Sequence, residues 1–138
     1  MVMGGKSSRQ KGKRGELLIA SVLRRCFPDA RRGRQFDSAR ECDVEGTPFR
    51  IEVKTRAAIT YKQIKDWLEQ NMAEGLEWED DRIPLLITKR DRENHIVHMF
   101  LTDFVGIVEK FFYRFTDEEQ AKVIELFKNT KDDTRYKP

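Results

Sequence analysis

The stretch CDVEGTPFRIEVKT, residues 42–55, decides how the rest of the chain is read. Gly46-Thr47-Pro48 is a turn signal between two runs of strand-forming residues. Beyond it the residues alternate, with Phe49, Ile51 and Val53 on one side of a strand and Arg50, Glu52 and Lys54 on the other. This pattern predicts a β-hairpin whose apolar side meets a core. Such a hairpin brings Asp43 and Glu52 together on neighbouring strands, and the period of two puts Glu52 and Lys54 on one face. Two convergent carboxylates suit a hard, oxygen-seeking cation such as Mg²⁺, which keeps waters and binds substrate phosphate. The backbone carbonyl of Val53 can join that shell, and a neighbouring lysine can orient or deprotonate an attacking water or hold phosphate charge. Alternating charges on an exposed sheet face, with an ion pair across strands, would give the same pattern.

Working outward, Leu17, Ala20, Leu23 and Phe27 recur at helical spacing, widened by Leu18, Val22 and Cys26, and predict a helix over 13–26 that stops before Pro28. A short strand is expected around Arg34 to Phe36. After the hairpin, Thr60 is an N-cap for a helix over 60–74, with Ile64, Trp67, Leu68 and Met72 as its stripe and Gly75 as its C-cap. Residues 77–81 read as an acidic loop, Ile83 to Thr88 as a buried strand, Lys89 to Asn94 as a turn and His95 to Leu101 as a strand. Helices follow over 103–113 and from Thr116, where Glu119 completes capping-box spacing ahead of Val123, Ile124 and Phe127. The order predicts a mixed α/β single domain, a central mixed β-sheet flanked by helices. Residues 1–11 are expected to form a mobile basic arm, 12–130 the domain and 131–138 a frayed tail.

The chain has 138 residues and 16.3 kDa, the size of one domain with a real core. Nine Phe, two Trp and three Tyr argue against a disordered chain, although 37% of residues are charged. No apolar run is long enough for a membrane span, and no secretory signal pattern is present. Two cysteines, Cys26 and Cys42, make neither a disulfide scaffold nor a pair of CxxC zinc motifs, so a reducing, cytoplasmic setting is expected. No GxGxxG and no P-loop is present. The net charge of +3 is unevenly spread: residues 1–40 hold eleven Lys and Arg against three Asp and Glu, a net of +8, and the remainder carries −5. A positive first third points to a polyanion such as DNA or RNA.

The motifs GKRGEL at 12–17, CDVEG at 42–46 and IEVKT at 51–55, with YKQIKDWL at 61–68 and IPLLITK at 83–89, resemble the PD-(D/E)xK nuclease superfamily, most closely its small archaeal and phage Holliday junction resolvases. The resemblance implies a restriction-endonuclease-like core and a metal-dependent, structure-selective DNA endonuclease. It implies Mg²⁺ as cofactor, with Mn²⁺ able to substitute, a branched DNA substrate and a homodimer in a prokaryotic or phage-infected cell. Position by position, Glu16 matches the helix-borne acidic residue, a metal ligand directly or through water. Asp43 and Glu52 match the metal ligands, and Lys54 the catalytic lysine. Gln63 and Ser38 match polar residues near the scissile phosphate. Cys42 replaces the proline of the superfamily's name, at a position that varies, and Ser38 lacks the following glycine of many resolvases.

For the phosphate backbone the expected contacts are Lys11, Lys13, Arg14, Arg31, Arg32, Arg34 and Arg40, with Lys6 and Arg9 further out. His95 and His98, three apart on an expected strand, point to opposite faces and share no metal. Phe111, Phe112 and Phe115 read either as core or as a dimer interface. Other readings of the same residues are a flap, repair or restriction nuclease, or a catalytically silent nucleic-acid-binding module of the same fold.

Overall fold

The computed structural model describes residues 4–33, 42–112 and 114–129. Their elements run α1 (Gly4–Leu23), β1 (Arg31–Arg32), β2 (Val44–Glu45), β3 (Phe49–Arg56), α2 (Tyr61–Glu77), β4 (Ile83–Arg90), β5 (Ile96–His98), α3 (Leu101–Phe112) and α4 (Asp117–Asn129). The five strands form one mixed sheet in the order β1-β2-β3-β4-β5. This is the expected α/β architecture, consistent with a restriction-endonuclease-like core. The chain divides into two compact units, Met1–Met99 with the sheet, α1 and α2, and Phe100–Pro138 with α3 and α4.

The hairpin forms as the alternation predicts. β2 and β3 are antiparallel with Val44 opposite Ile51, and Gly46 turns the chain at φ +82°, a conformation that favours glycine. A Cβ at Gly46 would stand 2.2 Å from the carbonyl oxygen of Asp29, so close approach also requires glycine there. Gly33 is under the same constraint, since its Cβ would meet the Cys42 carbonyl oxygen at 1.9 Å. β3 and β4 pair in parallel over eight residues, from Phe49 opposite Ile83 to Arg56 opposite Arg90. A parallel pair needs a crossover, and α2 supplies it.

Both faces of β3 are covered. On one, α1 brings Ile19 and Ala20 against Val44, Ile51, Leu85 and Ile87, with Leu23, Phe49, Val53 and Met99 packed around them. Val44 and Ile51 are fully buried, each contributing roughly 2 kcal/mol of burial free energy. On the other, α2 lays Leu68 and Asn71 over β3 and β4, where Arg50, Leu86 and Thr88 are buried. Asn71 Nδ2 donates to the carbonyl of Arg50 at 2.8 Å, which ties α2 to β3. The face carrying Arg50, Glu52 and Lys54 is therefore an interior layer and not an open sheet surface.

Several boundaries differ from expectation. α1 begins at Gly4 rather than near residue 13, because Lys, Arg and Gln are good helix formers and outweigh the glycines between them. Its buried stripe is Glu16, Ile19 and Ala20, and Leu17, Leu18 and Val22 are exposed. The strand expected at 34–36 lies outside the described residues, and β1 is Arg31–Arg32. α2 has the expected Thr60 cap, but it runs through Gly75, which is buried against Arg50, and is capped at Trp78. Met72 is exposed where Asn71 takes the inward place. Leu101 opens α3 instead of closing β5. α4 starts as predicted, with Thr116 Oγ1 accepting from the Glu119 N–H and Glu119 Oε2 from the Thr116 N–H.

Candidate active site

Asp43 sits at the seam of three chain segments. Its N–H donates to the carbonyl of Ile51 at 2.9 Å, and its own carbonyl accepts from the Gly33 N–H at 2.9 Å. Its side chain turns onto β3, where Oδ2 accepts from the Val53 N–H at 2.8 Å. Asp43 thus stands just ahead of the Val44–Ile51 pair of β2 and β3 and is bound to β3 on either side of Glu52, through Ile51 and Val53. Burial pushes the Asp43 carboxyl above its ordinary range, against the Val53 N–H and the charges of Lys54, Arg32 and Arg50.

Glu52 and Lys54 share a face, as the alternation requires. Lys54 Nζ lies 3.0 Å from Glu52 Oε1, and both side chains are about three-quarters covered. Lys54 Nζ also stands 5.5 Å from the centre of the Trp67 ring on α2, and the Arg56 guanidinium lies 5.8 Å from it. A cation over a tryptophan face is attracted by the ring quadrupole, so α2 steadies the lysine from above. The Glu52 carboxyl is raised by burial, opposed by Lys54 and raised further by the charges of Asp43 and Glu74.

Glu16 lies well inside α1 and is buried, so the helix dipole at the first turn does not account for it. Arg32 Nε of β1 donates to Glu16 Oε2 at 2.5 Å. Burial raises the Glu16 carboxyl, the Arg32 hydrogen bond opposes this, and the charge of Asp43 adds to it. Asp43 thus stands electrostatically between Glu16 and Glu52. Glu16 is buried and Asp43 and Glu52 are partly buried, and each carboxyl is pushed toward protonation, a shift that a nearby cation would oppose. The donor chemistry of Asp43, Glu52 and the Val53 carbonyl fits such an ion. Among the described residues, no group of three or more His, Cys, Asp or Glu side chains is placed to hold a metal ion.

The other expected contacts are scattered. Arg34, Ser38 and Arg40 lie outside the described residues. Lys13 and Arg14 are exposed on α1, and Lys11 pairs with Asp91 at 2.9 Å. Arg31 is exposed and donates to the Asp29 carbonyl, whereas Arg32 is held by Glu16. Gln63 is engaged locally: its Oε1 accepts from the Thr60 N–H at 2.9 Å in a capping box. Cys42 is partly buried and its thiol is pushed up to about 11, first by desolvation, so it is a protonated donor to the Val44 carbonyl and not a nucleophile. His98 shares a hydrogen bond with Thr88 Oγ1 at 2.8 Å, apart from these carboxylates.

Sequence reasoning missed the ionic layer beneath the site. Arg50 is 2% exposed and its guanidinium reaches Asp80 at 3.2 Å and Glu74 at 3.4 Å. Arg82 pairs in turn with Asp80 and with Glu45. The signal was available in the alternation, which places Arg50 on the face of Glu52 and Lys54.

The five-stranded mixed sheet with its helices is consistent with the restriction-endonuclease-like core of PD-(D/E)xK nucleases. More narrowly, residues 7–137 match the family described as "Phage putative PDDEXK endonuclease", and the chain belongs to that family. No curated protein and no solved structure matches it. Among the described residues, no helix is long and apolar enough to cross a membrane.

Proposed function

We propose that this chain is a Mg²⁺-dependent, structure-selective DNA endonuclease that resolves four-way junctions, with Mn²⁺ able to replace Mg²⁺. The observation that carries the reading is that the Asp43 carboxylate is held at 2.8 Å by the N–H of Val53, the residue between Glu52 and Lys54, with Lys54 Nζ 3.0 Å from Glu52 Oε1. Asp43, Glu52 and the Val53 carbonyl would hold the cation, and Glu16 would support the shell directly or through water. When bound, the cation stabilises charge on the phosphoryl oxygens and lowers the pKa of a coordinated water. Lys54 orients the attacking water or the phosphoryl oxygen from its place between Glu52 and Trp67. The attack forms a phosphorus–oxygen bond to water and breaks the bond to one sugar oxygen. Arg31, Arg34, Ser38, Arg40 and Gln63 remain candidate DNA contacts. Two cuts in one junction call for a homodimer, and the exposed Leu101, Phe104, Val105 and Phe111 of α3 suit such a contact. The setting is the cytoplasm of a prokaryotic or phage-infected cell.

The test is cleavage of a labelled synthetic four-way junction and of the matching linear duplex, in Mg²⁺ and in EDTA, with the parent protein and Lys54→Ala. Paired symmetric cuts in the junction alone, lost in EDTA, are expected. Lys54→Ala should bind the junction as before while cleavage falls by about 10²-fold or more. Cutting of both substrates alike would keep the nuclease and discard junction selectivity. A junction that is bound and never cut would identify a silent binding module instead.

A further inference from the structure

Two cavities of the first unit lie along α1, and one of them reaches the candidate carboxylate Glu16. One, of about 560 Å³, is walled by Arg9, Lys11 and Gly12 of α1 and by Val53, Thr55 and Arg56 at the end of β3. A second, of about 520 Å³, continues from Arg9 and Gly12 past Lys13 to Glu16 and Arg32. The two share Arg9 and Gly12, so together they make one track along α1. It runs from the end of β3 to the buried glutamate of the candidate site. Volumes of this size are those of sites that hold small ligands or segments of larger ones.

The track is open because of Gly12. A Cβ built there would meet nothing within 4 Å, whereas one at Gly15, a turn further along, would already touch Thr55 and Val53. The helix is therefore packed on β3 at Gly15 and stands off it at Gly12. Arg9 and Lys11 of α1 line the gap, and Arg56 borders it at the exposed end of β3, its guanidinium 5.8 Å from the Trp67 ring. A carboxylate already meets this edge, since Lys11 Nζ is 2.9 Å from Asp91 Oδ1 at the β4–β5 turn. The side chains on each side of that pair are about half exposed, so an incoming anion can exchange with Asp91.

We propose that this track seats the sugar–phosphate backbone of one DNA strand, with Arg9, Lys11 and Arg56 on successive phosphates and Asp91 as the resident anion that the backbone displaces from Lys11. The inference rests on the nuclease reading for its choice of polyanion, and adds the residues and the path. It adds Arg56 to the expected contacts Arg9 and Lys11, and makes the absence of a side chain at residue 12 a requirement for entry. A strand lying here has its backbone led toward Glu16 and Val53, and so toward the Asp43–Glu52 pair.

The experiment measures binding of a fluorescent four-way junction and a fluorescent single strand by anisotropy, in EDTA so that nothing is cut, over a series of salt concentrations. The variants are Gly12→Leu, Arg56→Gln and Asp91→Asn, with cleavage in Mg²⁺ read in parallel. Gly12→Leu fills the gap without altering charge and favours the helix. It is expected to weaken binding about tenfold, and Arg56→Gln to do the same while lowering the salt slope by about one. Asp91→Asn is expected to tighten binding a few-fold by releasing Lys11. Circular dichroism confirms folding, and Arg56→Gln carries the test if Gly12→Leu does not fold. Parental affinity and salt slope in Arg56→Gln, or parental affinity in folded Gly12→Leu, would overturn the track. An unchanged affinity in Asp91→Asn would remove Lys11 from it. Parental protein that binds in EDTA and never cuts, with the variants behaving as expected, would leave the track standing and sink the nuclease.

Discussion

Asp43 is anchored to the residue that separates Glu52 from Lys54: its Oδ2 accepts a 2.8 Å hydrogen bond from the backbone N–H of Val53. The carboxylate thereby substitutes for a strand carbonyl in the ladder of β3. A group held this way is fixed in position before any cation or substrate arrives, which is what a metal ligand requires.

The bond separates the structural from the chemical part of Asp43. Asp43→Asn keeps an oxygen acceptor for Val53 and removes the charge, so its melting temperature should stay within a few degrees of the parent. Its cleavage should fall at least about a hundredfold. Asp43→Ala loses the acceptor as well and leaves a buried N–H unpaired, at a cost of about 1–3 kcal/mol. A thermal melt beside a cleavage gel distinguishes the two, and an active Asp43→Asn would remove Asp43 from the site.

Burial raises Glu16, Asp43 and Glu52 above their ordinary values of 4.5, 3.8 and 4.5. The sign follows from linkage. The stability these groups contribute is fully present below those ordinary values and is lost as pH rises through the raised folded ones. At neutral pH the three ionised carboxylates therefore cost stability, and on the proposed reading a bound divalent cation would offset that cost. Mg²⁺ at about a hundred times its dissociation constant should stabilise the fold by about 2.7 kcal/mol, or roughly 10 °C in melting temperature. The shift should vanish in EDTA and in Asp43→Asn. Calorimetry showing no Mg²⁺ effect in the parent would refute the cation site.

The parts legible in the sequence are those whose cause is local. The turn at Gly46 and the alternation from Phe49 to Lys54 follow from the chain's own period, and they set Lys54 beside Glu52 and Asp43 against the Val53 N–H. The Thr60 and Thr116 caps were readable for the same reason, since each partner lies three residues away. What stayed hidden depends on partners far along the chain. Nothing near Glu16 announces that Arg32 holds it, and nothing near Arg50 announces that α2 covers it. The parallel pairing of β3 with β4 is a product of the crossover and leaves no mark on either strand. The helical reach of α1 back to Gly4 was masked by glycines that usually signal a loose terminus.

The ionic layer under the site gives the fold a second, opposite response to acid. Asp80 accepts three hydrogen bonds from the Arg82 guanidinium, at 2.7, 2.9 and 3.1 Å, and meets Arg50 at 3.2 Å. These partners, Arg82 first, lower its carboxyl from 3.8 to about 2. A depressed carboxylate contributes stability above its unfolded value and loses it as pH falls through the folded one. This contribution is therefore intact at pH 5 and above, and disappears between about pH 4 and pH 2. Asp80→Asn removes the charge that joins Arg50 on β3 to Arg82 on β4, and leaves the buried Arg50 with Glu74 as its remaining named carboxylate. The substitution should cost about 2 kcal/mol at pH 7, roughly 8 °C in melting temperature. It should also flatten the acid limb, so that parent and variant converge near pH 2. Melts from pH 2 to pH 7 test this directly. A constant difference between parent and variant across that range would show that Asp80 acts by packing alone, because only its ionised form can attract Arg50 and Arg82.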